Sequence, residues 1–332
     1  MPRARSPADW LATPPPSAAL RVGPLGARVG NVRVGTASWT EKTLVASGDF
    51  YPAAASTPER RLRYYARHFS VVEVDATYYA LPREPTAAAW AERTPADFRF
   101  GVKAYAAITE HPIEPSRLDR DLQAAVPADL RRARRVYPRD LPSAVSEEIC
   151  ARFVRALAPL RDAGKLAYVL LQMPPWFAAT RGNARALEAY PSRLPGLPLA
   201  VEFRRADWLA DDRRERTLDL LRRNRLTYVA VDEPQGTPHS VPPAAEVTTP
   251  ALAVVRLHGR RRETWTTPGV PTTERFGYLY TVDELREWVP RVQALARGAR
   301  DVLVLLNNCR GSSAVRNAKE LAALLAEGGG RP

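Results

Sequence analysis

The stretch Val71-Val-Glu-Val-Asp-Ala-Thr-Tyr-Tyr79 begins as an apolar run and turns polar within a few positions. Such a run fits a strand buried on both faces, as in a parallel sheet. Seven other runs behave alike: Val32 to Trp39, Phe98 to Ala104, Leu166 to Pro174, Leu197 to Arg204, Thr227 to Pro234, Ala251 to Arg260 and Val302 to Asn308. Most are separated by segments with helical spacing. The order of strand, helix and strand predicts an α/β fold, a single TIM-type (β/α)8 barrel. Active sites of such barrels sit where the strands finish, so the polar residues closing each run are the candidates for chemistry.

The chain has 332 residues and is 45% hydrophobic, which one barrel of about 250 residues largely absorbs. Residues 1–30 carry Pro14, Pro15 and Pro16 without a sustained period and are read as a flexible extension, with the barrel domain at 31–328. A first crossover helix is expected from Thr57 and Pro58, burying Leu62, Tyr65 and Phe69. Others are expected after Pro85, from Ser143 with Ser143 to Ser146 as caps, over Asp207 to Asn224, over Val282 to Ala296 and over Ser313 to Leu325. Long loops follow the third and seventh barrel strands, Tyr105 to Pro142 and Arg261 to Thr281. In a barrel such loops build the pocket wall. The basic run Arg131, Arg132, Arg134 and Arg135 in the first loop reads as a solvated helix face.

The formal net charge is +13, and 49 residues are Lys or Arg, of which four are lysines. Clustered cations favour anionic partners, so an anionic small molecule or a nucleic acid is the expected ligand class. No apolar run reaches the roughly 18 residues of a membrane span or forms a secretion signal, and the chain is expected to be cytoplasmic. Cys150 and Cys309 lie far apart, without metal-ligand spacing, and are read as free thiols. No P-loop, dinucleotide fingerprint or nucleophile elbow is present, and no nucleotide cofactor is expected.

Side chains two apart on a strand share a face. On that basis Glu73 groups with Asp75 and Thr77, Glu202 with Arg204, and Arg256 with His258 and Arg260. Lys103, Gln172, Asp232, Asn307 and Asn308 stand at the ends of other runs. Burying ions costs several kcal/mol unless they are paired, so these groups form either a structural ion-pair ring or a site built on one.

The chain resembles the YecE-like family of TIM-barrel proteins, a domain of unknown function. The resemblance rests on Val34-Gly-Thr-Ala-Ser-Trp39, Phe50-Tyr-Pro52, Val72-Glu-Val-Asp-Ala-Thr-Tyr-Tyr79, Phe100-Gly-Val-Lys-Ala104, Leu171-Gln-Met-Pro-Pro-Trp-Phe177, Val201-Glu-Phe-Arg204, Asp232-Glu-Pro234, Arg256-Leu-His-Gly-Arg260, Tyr278-Leu-Tyr280 and Asn307-Asn308. It implies the barrel and marks the strand-end residues as the family pocket. Two departures stand out. Cys309 follows the asparagine pair where the family leads one to expect His, and the segment after Thr109 is expanded and arginine-rich.

Three readings follow. A phosphate-ester or phosphodiester hydrolase would use Glu73 or Glu202 as base and His258 as acid. Lys103, Arg204, Arg256 and Arg260 would hold the phosphate, with Trp39, Tyr79, Gln172, Asp232, Asn307 and Asn308 as further substrate contacts. With only four histidines a multi-zinc centre is not expected, although Glu73, Glu202 and Asp232 leave room for a single divalent ion. A carbohydrate-active enzyme would use Glu73 and Glu202 as its carboxylate pair, and a non-catalytic barrel would bind nucleic acid through basic loops and aromatics.

Overall fold

Among the described residues nine strands form one sheet in sequence order, and the second also pairs with the ninth, closing the ring. The structure is a computed structural model that describes residues 27–237 and 240–328. A short β1 (Arg28–Val29) lies antiparallel to β2 (Val32–Ala37). The barrel continues in parallel through β3 (Val71–Val74), β4 (Arg99–Lys103), β5 (Leu166–Gln172), β6 (Leu199–Glu202), β7 (Thr227–Asp232), β8 (Leu252–Leu257) and β9 (Asp301–Leu306). This is the TIM-type (β/α)8 barrel expected from the apolar runs. Residues 1–26 of the expected extension lie outside the described residues, and Arg28–Val29 already belong to the sheet.

The strands are shorter than their runs. β3 ends at Val74, and the chain enters a 3-10 turn over Ala76–Tyr78. The Thr77 hydroxyl holds that turn beside Val74 O at 3.2 Å and Lys103 O at 2.5 Å. Simple alternation therefore does not carry Asp75 and Thr77 onto the face of Glu73. β8 likewise ends at Leu257, before His258 and Arg260.

The crossover helix Pro58–Tyr65 begins where expected: the Arg60 N–H donates to Thr57 Oγ1 at 3.2 Å, and Leu62 and Tyr65 are buried. The helix Ser143–Ala156 has Pro142 at its cap and no side-chain cap bond, so a rigid prolyl entry replaces the serine caps. The helix expected over 207–224 is divided into a turn at Ala206–Leu209 and a helix at Arg214–Arg223. Trp208 anchors the turn by donating from Nε1 to Phe177 O at 2.7 Å. The helix expected over 282–296 breaks into Val282–Arg286 and Val289–Gly298, with Pro290 in the first turn of the second. A helix at Arg181–Arg193 crosses from β5 to β6. No described helix is long and apolar enough to cross a membrane.

Residues opposite one another across a ladder share a face. Gly35, Leu305, Arg256 and Val231 lie in one such row, and Arg256 in that row reaches Glu73 and Glu202 inside the barrel. The next row, through Asp232, Leu257 and Leu306, faces the helices instead. That one-residue difference decides which polar groups enter the site.

Gly101 shapes the lumen beneath it. A Cβ there would lie 2.3 Å from Cζ of the Tyr168 ring on β5. Gly101→Ala should therefore destabilise the fold by roughly 1–3 kcal/mol through overpacking. Urea unfolding measures this, and an unchanged midpoint would mean that Tyr168 has another place to go.

Candidate active site

Arg256 is the hub of the site. Its Nη2 lies 2.5 Å from Glu73 Oε1, and its Nη1 bonds Glu202 Oε2. Tyr168 donates its hydroxyl to the other Glu73 oxygen at 2.7 Å. Glu202 Oε1 accepts from Gln172 Nε2 at 2.6 Å and from Arg204 Nη1 at 3.2 Å. His258 brings Nε2 to 3.2 Å from the same oxygen, out of line for a full hydrogen bond, while its Nδ1 sits 2.9 Å from Asn307 Nδ2. Glu73, Glu202 and His258 are wholly buried. The three catalytic candidates thus meet in one cluster, together with Gln172, Arg204, Arg256 and Asn307.

The two central carboxyls are pushed apart in acidity. Burial raises Glu73 against the opposing pull of Arg256. Burial acts upward on Glu202 too, but Arg256 and its other neighbours reverse it and hold Glu202 well below the ordinary carboxylate range. Burial also lowers His258 to about 4, over the opposition of Glu202. His258 is accordingly neutral at pH 7, and Arg256 and Arg204 are the cations that keep Glu202 ionised.

Other candidates lie elsewhere. Asp232 is on the outward row of β7, where it accepts from Trp288 Nε1 at 2.6 Å, Tyr280 OH at 2.8 Å and Arg260 Nη2 at 2.7 Å. Arg260 also pairs with Glu287 at 2.8 Å, so both residues tie the barrel to its helix layer. Asn308 does the same, donating to Tyr278 O at 2.9 Å. Trp39 is buried edge-on against Trp90, away from the cluster, and Tyr79 is exposed on the rim against Tyr78.

The sequence reading passed over Glu233 and His111 as site residues, and grouped Asp75 with Glu73 without giving it a role. Glu233 is two positions beyond the inward Val231 and reaches the site: its Oε2 lies 3.5 Å from Arg204 Nη1, and its Oε1 accepts the Val241 N–H at 2.7 Å. Burial raises it to about 7, with Arg204 opposing. Only the register, which pairs Val231 with Arg256, distinguishes it from Asp232. Asp75 is partly exposed, with Oδ1 unpartnered among the described residues, and its charge acts on Lys103, Arg256 and Glu73. His111 comes from the long loop after β4, whose path no periodicity reveals.

Lys103 ends β4 with Nζ 4.5 Å over the Tyr78 ring and makes no ion pair among the described residues. Burial lowers its pKa, with Asp75 opposing. Burial, then Lys103, lower His111 to about 4, and Arg204 adds to the effect. The Arg204 guanidinium stacks 4.7 Å over the Trp265 ring.

The single-ion site for which Glu73, Glu202 and Asp232 left room does not assemble from these three residues. Arg256 fills the space between Glu73 and Glu202, Asp232 faces the other way, and no three acidic, His or Cys side chains converge among the described residues. The same guanidinium occupies the gap that a glycosidase pair keeps for its sugar and water.

Residues 33–331 match the family described as protein of unknown function DUF72. The chain belongs to the DUF72 family. It is 30% identical over 297 residues to the UPF0759 protein YunF of Bacillus subtilis, covering 89% of this chain and 94% of YunF. It is also 30% identical to the UPF0759 protein YecE of Escherichia coli over 159 residues, 48% of this chain and 46% of YecE. Among solved DUF72 structures, TM1631 of Thermotoga maritima superposes with a TM-score of 0.69 at 29% identity, covering 89% of this chain and 98% of that one. EF0366 of Enterococcus faecalis gives a TM-score of 0.71 at 26% identity, covering 89% and 95%. The YecE-like resemblance is thereby established, and this DUF72 chain is a TIM barrel of a family without an assigned reaction.

Proposed function

We propose that this DUF72 protein is a hydrolase-like enzyme for a phosphate-containing substrate, bound over the Arg256 cluster at the C-terminal end of the barrel. The observation that carries this reading is the contrast among the cations. Arg256 is neutralised by two carboxylates and Arg260 by three, whereas Lys103 has none among the described residues and Arg204 meets Glu202 and Glu233 through Nη1 alone. A bound anion would relieve the repulsion that Arg256 exerts on Lys103 and that Arg204 exerts on Arg275, whose own pKa burial and Arg204 depress. His111, Trp176 and Tyr137 stack edge-on nearby and supply an apolar wall for the rest of the substrate.

In this reading Lys103 and the free edge of Arg204 take the non-bridging phosphate oxygens and neutralise charge as it builds. Asp75, with an oxygen to spare, orients and deprotonates the attacking water. Glu73 and Glu202 have every oxygen engaged, so with His258 they act through Arg256 and Arg204 as the charged floor that fixes both guanidinium groups.

The test is turnover of p-nitrophenyl phosphate and bis-p-nitrophenyl phosphate. Lys103→Met should lower kcat/KM by roughly tenfold to a hundredfold with the fold intact, and Asp75→Asn should reduce kcat more than it changes KM. Absence of turnover on both esters, or unchanged kinetics in both variants, would overturn the proposal. Salt-sensitive binding of single-stranded DNA without turnover would favour the non-catalytic barrel.

A further inference from the structure

The opposite, N-terminal end of the barrel holds a basin of about 660 Å³. Leu303 is in its wall, and Arg99, Arg222, Arg225, Arg300 and Asp301 are around it. Arg33 on β2 stands opposite Leu303 in the ladder and so shares its inward face. This arginine is 3% exposed, and its Nε and Nη1 have no hydrogen-bond partner among the described residues. Its nearest carboxylate, Asp97, is 3.6 Å away and is shared with Arg28 at 3.9 Å.

The surrounding cations are unevenly matched. Arg222 is engaged by Glu215 at 2.5 Å and Asp219 at 2.8 Å. Arg99 donates only to the carbonyls of Ala96 and Phe98, and Arg300 has one contact, Asp301, at 3.4 Å. Arg225 makes no side-chain ion pair among the described residues, and its own φ of 54° holds it in the left-handed region at the turn before β7. Arg99, Arg225 and Arg300 thus face a single carboxylate, Asp301, around a cavity large enough for a small ligand, and Arg99 and Asp301 also act on the buried Arg33 beside it. Three lining arginines with so few acceptors leave guanidinium donors free for an anion inside the basin.

We propose that this basin is a second anion site, which takes a small phosphate-bearing molecule with Arg99, Arg225 and Arg300 around its phosphate. The site is separate from the C-terminal mouth and does not depend on the reaction assigned there. Lys103 and Arg99 sit at opposite ends of the five-residue β4, so the two sites can be told apart by mutation.

The experiment is calorimetric titration of the full chain with pyrophosphate, and with inorganic phosphate as the smaller probe. Saturable pyrophosphate binding is expected, weakened at least tenfold in Arg99→Ser and in the surface double variant Arg225→Ser/Arg300→Ser, and retained in Lys103→Met. The double variant, confined to exposed side chains, keeps the test open if Arg99→Ser fails to fold. Absence of saturable binding, or binding abolished by Lys103→Met and indifferent to the basin variants, would overturn the proposal.

Discussion

Replacing Arg256 by methionine should lower the unfolding free energy by about 3–5 kcal/mol, the cost of leaving buried carboxylates without their cation. The effect falls chiefly on Glu73. Glu202 keeps Arg204 and Gln172, but Glu73 keeps only the Tyr168 hydroxyl. Burial already raises the Glu73 pKa, and loss of Arg256 raises it further, so the variant's Glu73 takes up a proton on folding. The cost should therefore shrink as pH falls towards the acid range, where the unfolded chain is protonated as well. Glu73→Gln/Arg256→Met should recover part of the loss, because the neutral amide removes the stranded charge. Urea unfolding of the two variants at acid and neutral pH measures all three effects. A loss below about 1 kcal/mol at neutral pH would mean that water reaches Glu73 and the cluster is not the dry core of the site.

The barrel was legible in the sequence because each strand is buried on both faces, and a doubly buried strand needs an uninterrupted apolar run. The cluster was legible because such runs have no structural use for Glu73, Glu202, Arg256 and His258. Positions beyond the last ladder residue were less so. Alternation holds only while the strand lasts, and β3 and β8 stop at Val74 and Leu257. Asp232 and Glu233 are adjacent carboxylates at one strand end, and the sequence alone cannot say which points inward. The register does so, through the pairing of Val231 with Arg256. Asn307 and Asn308 divide in the same way, one to His258 and the other to the helix layer. His111 enters from a loop whose course depends on contacts distant in sequence, such as the Tyr190 hydroxyl on Ile108 O at 2.9 Å.

Glu233→Gln should change the pH dependence of stability rather than stability as such. The folded chain holds the Glu233 proton up to about 7, against an ordinary value of 4.5. The folded state therefore binds the proton more tightly, and this contribution is fully present below pH 4.5 and lost as pH rises through 7. The shift corresponds to roughly 3 kcal/mol, which the amide variant should no longer lose between acid and weakly alkaline pH. His258 works in the opposite sense: its pKa falls from 6.5 to about 4, so its contribution is lost as pH falls below 6.5 and is gone below 4. Comparing Glu233→Gln with the native chain at each pH cancels that term. Urea unfolding at several pH values between 4 and 8 should give a difference that grows with pH, and a constant difference would place Glu233 in contact with water. The same proton bears on the proposed reaction. Below pH 7 the protonated Glu233 leaves Arg204 with Glu202 as its one charged partner, so anion affinity at the mouth should rise as pH falls through neutrality, and Glu233→Gln should remove that rise.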